Sequence, residues 1–153
     1  MTDSPLSPSY AEARQGFLAA ASAVGAAVTS SIHPTEIGPG SEPLAIDVAD
    51  LGSADSSAAL VVISGTHGVE GYAGSAIQTD WLGRLATDGA PGGLRVVLIH
   101  ALNPNGFAWT RRTNEDNVDL NRNFVDWDQP PPDNSANHPL PELLVPTHWD
   151  ETT

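Results

Sequence analysis

Residues 58–71 read AALVVISGTHGVEG, and this stretch decides the fold. Its first six residues are all apolar, which is typical of a strand covered on both faces. A glycine-rich turn follows, and residues 70–85 then carry apolar side chains on one helical face. A second apolar run at residues 94–99 predicts a parallel strand that completes a βαβ unit. We therefore expect residues 58–63 to lie centrally in a sheet.

The flanking sequence extends this unit into an α/β fold. Residues 9–29 are rich in alanine and contain no proline, which predicts a first helix. Residues 44–49 alternate apolar and polar or small side chains, which predicts a half-exposed strand near an edge of the sheet. After residue 128 prolines are frequent and disfavour regular structure. The pattern predicts an α/β domain.

Composition limits the partners. The chain has 153 residues and a formal net charge of −13, so it would repel nucleic acid and anionic membrane surfaces. It contains no cysteine, so any metal ligands must be His, Asp or Glu side chains. All six basic residues are arginines, and Arg111, Arg112 and Arg122 fall in one short stretch. This concentration of positive charge indicates an anion pocket.

The N-terminal region does not resemble a targeting segment. The apolar run at residues 17–28 is too short to span a bilayer, and it follows an N-terminus with two acidic residues and one arginine. A signal peptide usually has a basic start and an earlier apolar region. We therefore expect a cytoplasmic protein.

His67 and Glu70 are the first candidate functional pair. They follow the first buried strand at a spacing that lets both side chains reach one ion, and imidazole and carboxylate are ligands suited to zinc. The neighbouring glycines allow the backbone to bend so that both donors converge. Two alternatives are a helix N-terminus that carries a favourable glutamate and a phosphate-binding glycine loop. The charge of Glu70 weakens the phosphate alternative.

A second cluster follows the next strand. Arg111 and Arg112 come shortly after the turn NPNGF at residues 103–107, and Asn121 and Arg122 lie ten residues beyond. An arginine next to an asparagine can hold a carboxylate, and another arginine beside a metal can stabilise an oxyanion. Alternatively, the arginines pair with nearby acidic residues on a solvated loop. The carboxyl ends of neighbouring strands meet at one edge of a sheet, which favours a shared site.

Taken together, the motifs HxxE, NPxGF and VDLNRNF, in that order with an arginine between the last two, resemble the zinc carboxypeptidase family, including its succinylglutamate desuccinylase and aspartoacylase group. The likeness covers approximately residues 45–126. It implies a carboxypeptidase-like fold, a three-layer αβα domain with a mixed, partly parallel sheet. It also implies that His67 and Glu70 are zinc ligands and that Arg112 stabilises the oxyanion. Asn121 and Arg122 would bind a substrate carboxylate, and Arg111 could exchange roles with Arg112.

The implied activity is zinc-dependent hydrolysis of an amide bond next to a carboxylate, in a small peptide or an N-acyl amino acid. The family also has a third histidine ligand and a glutamate base further along the chain, for which His138, His148, Glu142 and Glu151 are weak matches. We therefore expect residues 1–128 to form the N-terminal part of a catalytic domain, apparently truncated, and residues 129–153 a proline-rich loop and acidic tail.

Because a catalytic zinc normally has three protein ligands, this chain by itself is expected to hydrolyse little or nothing. Two other outcomes stay open: a catalytically inactive carboxylate-binding or interaction module, and a site completed by a complementing C-terminal half.

Overall fold

A computed structural model of the protein describes residues 6–89 and 91–130. The helices are α1 (Tyr10–Ala23), α2 (Gly68–Asp88) and the short α3 (Pro104–Ala108). The strands are β1 (Ala27–Ile37), β2 (Pro43–Leu51), β3 (Ala58–Ile63) and β4 (Leu94–His100). A single 3₁₀ turn spans Leu120–Arg122. No helix in the described part of the chain is long and apolar enough to cross a membrane.

The four strands form one mixed sheet in the order β1-β2-β4-β3. β3 runs parallel to β4 with α2 between them along the chain, so the predicted βαβ unit is confirmed. β2 is antiparallel to both of its neighbours. The α/β class and the mixed, partly parallel sheet are therefore confirmed.

β2 lies between β1 and β4, next to the edge strand β1, which agrees with the predicted position near an edge. The position of β3 differs from the sequence prediction. β3 is the terminal strand of the described sheet, and Val61 is 52% exposed, so the prediction of a central, covered strand is wrong for the described residues. An apolar run shows only that both faces of a strand can be buried. Whether they are buried depends on the elements that pack against the strand, and β3 pairs only with β4 in the described sheet.

The N-terminal helix is shorter than predicted. Ser9 caps α1 by accepting a hydrogen bond from the Glu12 backbone N–H at 3.2 Å, and the helix ends at Ala23. Gly25 has a φ of 71°, which lets the chain reverse directly into β1. The prediction that residues 27–29 are helical is therefore wrong, because pairing with β2 overrides their local preference.

Both long helices pack on one face of the sheet. Phe17 of α1 and Leu82 of α2 share a buried cluster with residues of β2 and β4. α2 is fixed to the strand ends by Gln78, whose Nε2 donates to the Val62 and Ile99 carbonyls at 3.0 and 3.2 Å. On the opposite face, the side chains of β2 and β4 are partly exposed. Helices on one face of a mixed sheet are compatible with part of a three-layer fold.

Contacts divide the chain into residues 1–123 and residues 124–153. In the described part of the second unit, Asp126 forms a turn: its side chain accepts from the Asp128 N–H and its carbonyl accepts from the Gln129 N–H, both at 3.1 Å.

Candidate functional site

The turn after β3 and the loop after β4 are in direct contact. The Gly68 N–H donates to the Arg111 carbonyl at 2.8 Å, and the Arg111 N–H donates to the Gly106 carbonyl at 2.8 Å. A Cβ atom on Gly68 would lie 2.1 Å from the Gly106 oxygen, so only glycine permits this approach. The two loops that the sequence singled out therefore form one surface.

His67 lies where this surface meets the N-terminus of α2. It is the N-cap residue of α2, with an extended backbone and no capping hydrogen bond from its side chain. Nδ1 lies 3.1 Å from Glu70 Oε2, and Nε2 lies 2.9 Å from Asp119 Oδ1. His67 is 8% exposed, whereas the Glu70 side chain is 72% exposed. Both ring nitrogens of one imidazole thus face carboxylates.

Asp119 connects His67 to the loop after β4 that carries Arg111 and Arg112, which we call the arginine loop. Its Oδ2 accepts from Arg112 Nε at 2.9 Å, and its Oδ1 also accepts from the Asn121 backbone N–H at 2.9 Å. The hydrogen bond with His67, followed by the bonds from Arg112 and the Asn121 N–H, lowers the pKa of Asp119 to about 2. Asp119 is therefore ionised at neutral pH.

The donor atoms of His67 and Glu70 lie close enough together to share one ion. A neutral imidazole carries one N–H, so when Nε2 donates to Asp119 the Nδ1 lone pair faces Glu70. Two negative or lone-pair atoms at that distance repel each other unless a proton or a cation lies between them. Two ligand atoms that share one zinc ion are about 3.0–3.5 Å apart at ordinary angles, so the spacing of 3.1 Å fits.

The donor set is small. Among residues 6–89 and 91–130, no group of three or more His, Asp or Glu side chains is arranged to hold one ion. Asp119 occupies the far nitrogen of the ring and so does not add a third donor beside Nδ1. His138, His148, Glu142 and Glu151, the weak matches for a third ligand and a base, lie outside the described residues.

A shallow pocket of about 220 Å³ opens at the pair and is lined by five residues: His67, Gly68, Val69, Glu70 and Arg112. Arg112 is the only arginine in this lining. Its side chain is 53% exposed, so its guanidinium can meet a ligand that enters from solvent while Nε stays on Asp119. The structure thus brings together His67, Glu70 and Arg112.

The other predicted residues point elsewhere. The Arg111 side chain contacts Thr113 Oγ1 and Asn117 Oδ1, both at 3.4 Å. The guanidinium of Arg122 donates from Nη1 to the carbonyl of Asn121 at 3.0 Å, and both residues are exposed on the 3₁₀ turn. They belong to the same loop as Asp119 but do not share its contacts with His67.

Asp119 is the residue that sequence reasoning missed. The residue pattern places it only among the nearby acidic residues that could pair with the arginines. The signal was its position two residues before Asn121, inside the VDLNRNF motif, at a strand-end loop that was already expected to face His67. A carboxylate on the far nitrogen of a ligating histidine is a common feature of metal sites, because it fixes the tautomer and orients the ring.

His100 ends β4 at the same edge of the sheet but is completely buried. Its ring stacks on Phe17 with centroids 4.5 Å apart, and Nε2 lies 2.9 Å from Ser75 Oγ. No hydrogen-bond partner for Nδ1 is found among the described residues. Burial lowers the pKa of His100 to about 4, so the ring is neutral at pH 7.

Comparison with known protein families supports one assignment. A family described as a protein of unknown function, DUF2817, matches residues 6–153. The chain belongs to the DUF2817 family. The match spans the β3 turn, the arginine loop and Asp119, so the whole candidate site of this DUF2817 protein lies inside it. Neither the curated proteins nor the solved structures contain a match.

Proposed function

We propose that this DUF2817 protein carries the metal-binding part of a zinc-dependent hydrolase site of the metallocarboxypeptidase type. The observation that supports it is the His67–Glu70 pair, with donor atoms 3.1 Å apart and with the far nitrogen of the imidazole held by Asp119. The reaction would be cleavage of an amide bond next to a substrate carboxylate.

In this proposal His67 and Glu70 hold the zinc ion. When bound, zinc polarises a carbonyl and lowers the pKa of a coordinated water to about 7. Asp119 keeps the proton on Nε2, so that Nδ1 offers its lone pair to the ion. Arg112 lines the same pocket and would stabilise the negative charge that develops on the substrate oxygen.

Asn121 and Arg122, which would bind the substrate carboxylate, do not line the pocket at His67. Asn121 and Arg122 are exposed on the 3₁₀ turn that Asp119 begins, so a substrate carboxylate can reach them from solvent. The bond from Arg122 to the Asn121 carbonyl uses Nη1, so a bidentate contact with a carboxylate would be made through Nε and Nη2. Arg111 is the second candidate for either arginine role.

Because residues 6–89 and 91–130 supply two protein ligands, fewer than a catalytic zinc normally has, we expect zinc binding to be weak and hydrolysis by this chain alone to be very low. In the alternative of a complementing polypeptide, that polypeptide would supply the remaining ligand and the base. Zinc-dependent hydrolysis by the purified 153-residue chain, abolished in His67→Ala, would show that this expectation of inactivity is wrong.

Zinc binding itself provides the test. Isothermal titration calorimetry of the full chain is expected to show saturable binding, which His67→Ala weakens by about 100-fold or more. His33→Ala is the matched control, because His33 bonds Glu115 and has no contact with the pair. Equal affinity in the wild type and His67→Ala would overturn the proposal. It would favour the alternative of a carboxylate-binding or interaction module, especially if the chain still bound a simple carboxylate.

A further inference from the structure

A second pocket opens at the same edge of the sheet, toward β1 and β2. Its volume is about 300 Å³, at the lower end of the roughly 300–1,000 Å³ range of small-molecule sites. Most of its wall is apolar, and the apolar residues come from four segments of the chain. The apolar lining residues are Ile32, Pro34, Ile46, Leu102, Pro104 and Leu120.

This second pocket, which we call the apolar pocket, adjoins the His67 site. Leu120 lines it and directly follows Asp119, whose carboxylate contacts His67. Asn103 also lines it, and its Nδ2 donates to the Thr66 carbonyl at 3.4 Å, one residue before His67. Leu120 and Asn103 are thus each linked to His67 through one intervening residue, Asp119 and Thr66 respectively. The apolar pocket and the His67 pocket are therefore formed by neighbouring loops.

Four polar side chains that line the apolar pocket, those of His33, Asn103, Asn114 and Glu115, already have hydrogen-bond partners. His33 Nδ1 accepts from the Glu36 N–H at 3.0 Å, so its Nε2 carries the proton and donates to Glu115 Oε1 at 3.1 Å. Asn103 Oδ1 accepts from the Gly106 N–H at 2.8 Å, and Asn114 Oδ1 accepts from the Val118 N–H at 2.8 Å. A ligand group that needs many hydrogen bonds would find few free partners here.

The charge at the apolar pocket also disfavours anions. Glu115 lines it, and a hydrogen bond from its own backbone, together with the pairing with His33, lowers the pKa of its carboxyl group, so the carboxylate is ionised at neutral pH. No arginine occurs in this lining. An acidic group placed there would lose hydration next to a negative charge without gaining a cation.

We propose that the apolar pocket binds an uncharged aliphatic or aromatic substituent of the amide substrate. The substrate class is then an amide with an apolar acyl group or apolar side chain, rather than one with a short acidic acyl group such as succinyl. The choice of substrate rests on the proposed function, whereas binding of the apolar group to the pocket does not require zinc.

The experiment measures binding of N-acylglycines to the full chain with a chelator present, by calorimetry or by NMR titration. The probes are acetyl-, butanoyl-, hexanoyl- and succinylglycine. Burial of one CH₂ group contributes about 0.8 kcal/mol, so each added CH₂ is expected to tighten binding about fourfold. Succinylglycine is expected to bind more weakly than butanoylglycine, which has the same number of acyl carbon atoms.

Two variants test the location. Ile46→Ala and Leu120→Ala each remove an apolar side chain from the wall and are expected to weaken hexanoylglycine binding several-fold while acetylglycine changes little. Ile77→Ala is the matched control, because Ile77 is 67% exposed on α2 and does not line the pocket. Circular dichroism verifies that each variant is folded, and two variants in different elements guard against one that is not.

The outcomes separate the two proposals. Chain-length dependence that Ile46→Ala and Leu120→Ala reduce supports the apolar pocket, even if zinc does not bind and the hydrolase proposal fails. Affinity independent of acyl length overturns the pocket proposal even if zinc binds at His67. The pocket proposal is also overturned if Ile77→Ala weakens hexanoylglycine binding as much as Ile46→Ala and Leu120→Ala do. Tighter binding of succinylglycine than of butanoylglycine would overturn it as well.

Discussion

His67 and His100 lie at the same edge of the same sheet, yet their surroundings give them different chemistry. His100 is the last residue of β4, is covered by α1 and α2, and has its nearest carboxylate, Asp47, neutralised by Arg14. His67 follows β3 by four residues and faces two carboxylates, of which Glu70 is open to solvent. The position at a strand end is shared, so the local charge and access decide which histidine can bind a ligand.

The two histidines also show two uses of an aspartate. Asp47 is fully buried, accepts from Arg14 Nε and Nη2 at 2.7 and 3.0 Å, and accepts from Ser30 as well. Asp119 is tied to His67 and to an arginine that is half exposed. The first aspartate fastens α1 to the sheet, whereas the second orients a side chain toward an open pocket. Substitutions can test this division.

The largest expected effect is a loss of folding stability when the buried Arg14–Asp47 ion pair is broken. Asp47→Ala removes one partner of a buried ion pair and leaves Arg14 without its carboxylate, which should cost about 3–5 kcal/mol in the free energy of unfolding. Urea denaturation measures it. Asp50→Ala, which removes a strand-surface pair with Arg95, is the control and should cost clearly less. Comparable losses in the two variants would contradict the distinction between buried and exposed pairs.

The next effect is a pH dependence of stability that the buried His100 should produce. The pKa of His100 is about 4 in the folded protein and about 6.5 when the chain is unfolded. Its contribution is therefore complete above pH 6.5 and is lost as the pH falls toward 4, because the unfolded chain then binds a proton that the folded one does not. The loss should amount to about 3 kcal/mol in unfolding free energy.

Denaturant unfolding at pH 7, 5.5 and 4.5 measures this loss, and His100→Gln isolates it because glutamine does not titrate. The variant should show a shallower decline than the wild type across this range. Identical slopes would mean that His100 is not held neutral by burial, which would remove the contrast with His67.

A smaller effect is expected for Asp119, and it should appear in the affinity for zinc rather than in the stability of the fold. Asp119→Asn replaces the charged acceptor on His67 Nε2 by a neutral amide and should weaken zinc binding about 10–100-fold. Competition with a chromogenic chelator measures it. Asp116→Asn, an exposed residue of the same loop, is the control and should leave the affinity unchanged. Equal behaviour of both variants would show that Asp119 does not position His67.

The smallest effect concerns the exposed arginine. Arg112→Ala breaks a pair in which the arginine side chain is 53% exposed, and such pairs contribute little to folding, so the denaturation midpoint should stay almost unchanged. Arg14→Ala should lower the midpoint clearly, because its partner Asp47 is completely buried. A large shift for Arg112→Ala would indicate that the arginine loop is structural rather than available for a ligand.

Part of this structure could be predicted from residue patterns. The βαβ unit followed from two apolar runs and the periodicity of α2, because these signals depend on residues close in sequence. The meeting of His67, Glu70 and Arg112 in one pocket also followed, since parallel strands end at the same edge. β1 was missed because its residues 27–37 include Pro34 and several polar side chains, which suit an edge strand but give no strong pattern.

The sequence by itself determined the α/β class, the acidic surface charge and the pair His67 and Glu70 beside a strand end. These depend on composition and short-range spacing, which folding does not alter. Only the tertiary structure decided that Asp119, 52 residues away along the chain, holds the far nitrogen of His67, and that His100 is buried and neutral. Contacts between distant segments set the charge and solvent access of each histidine, and those two quantities separate a buried histidine from a candidate ligand.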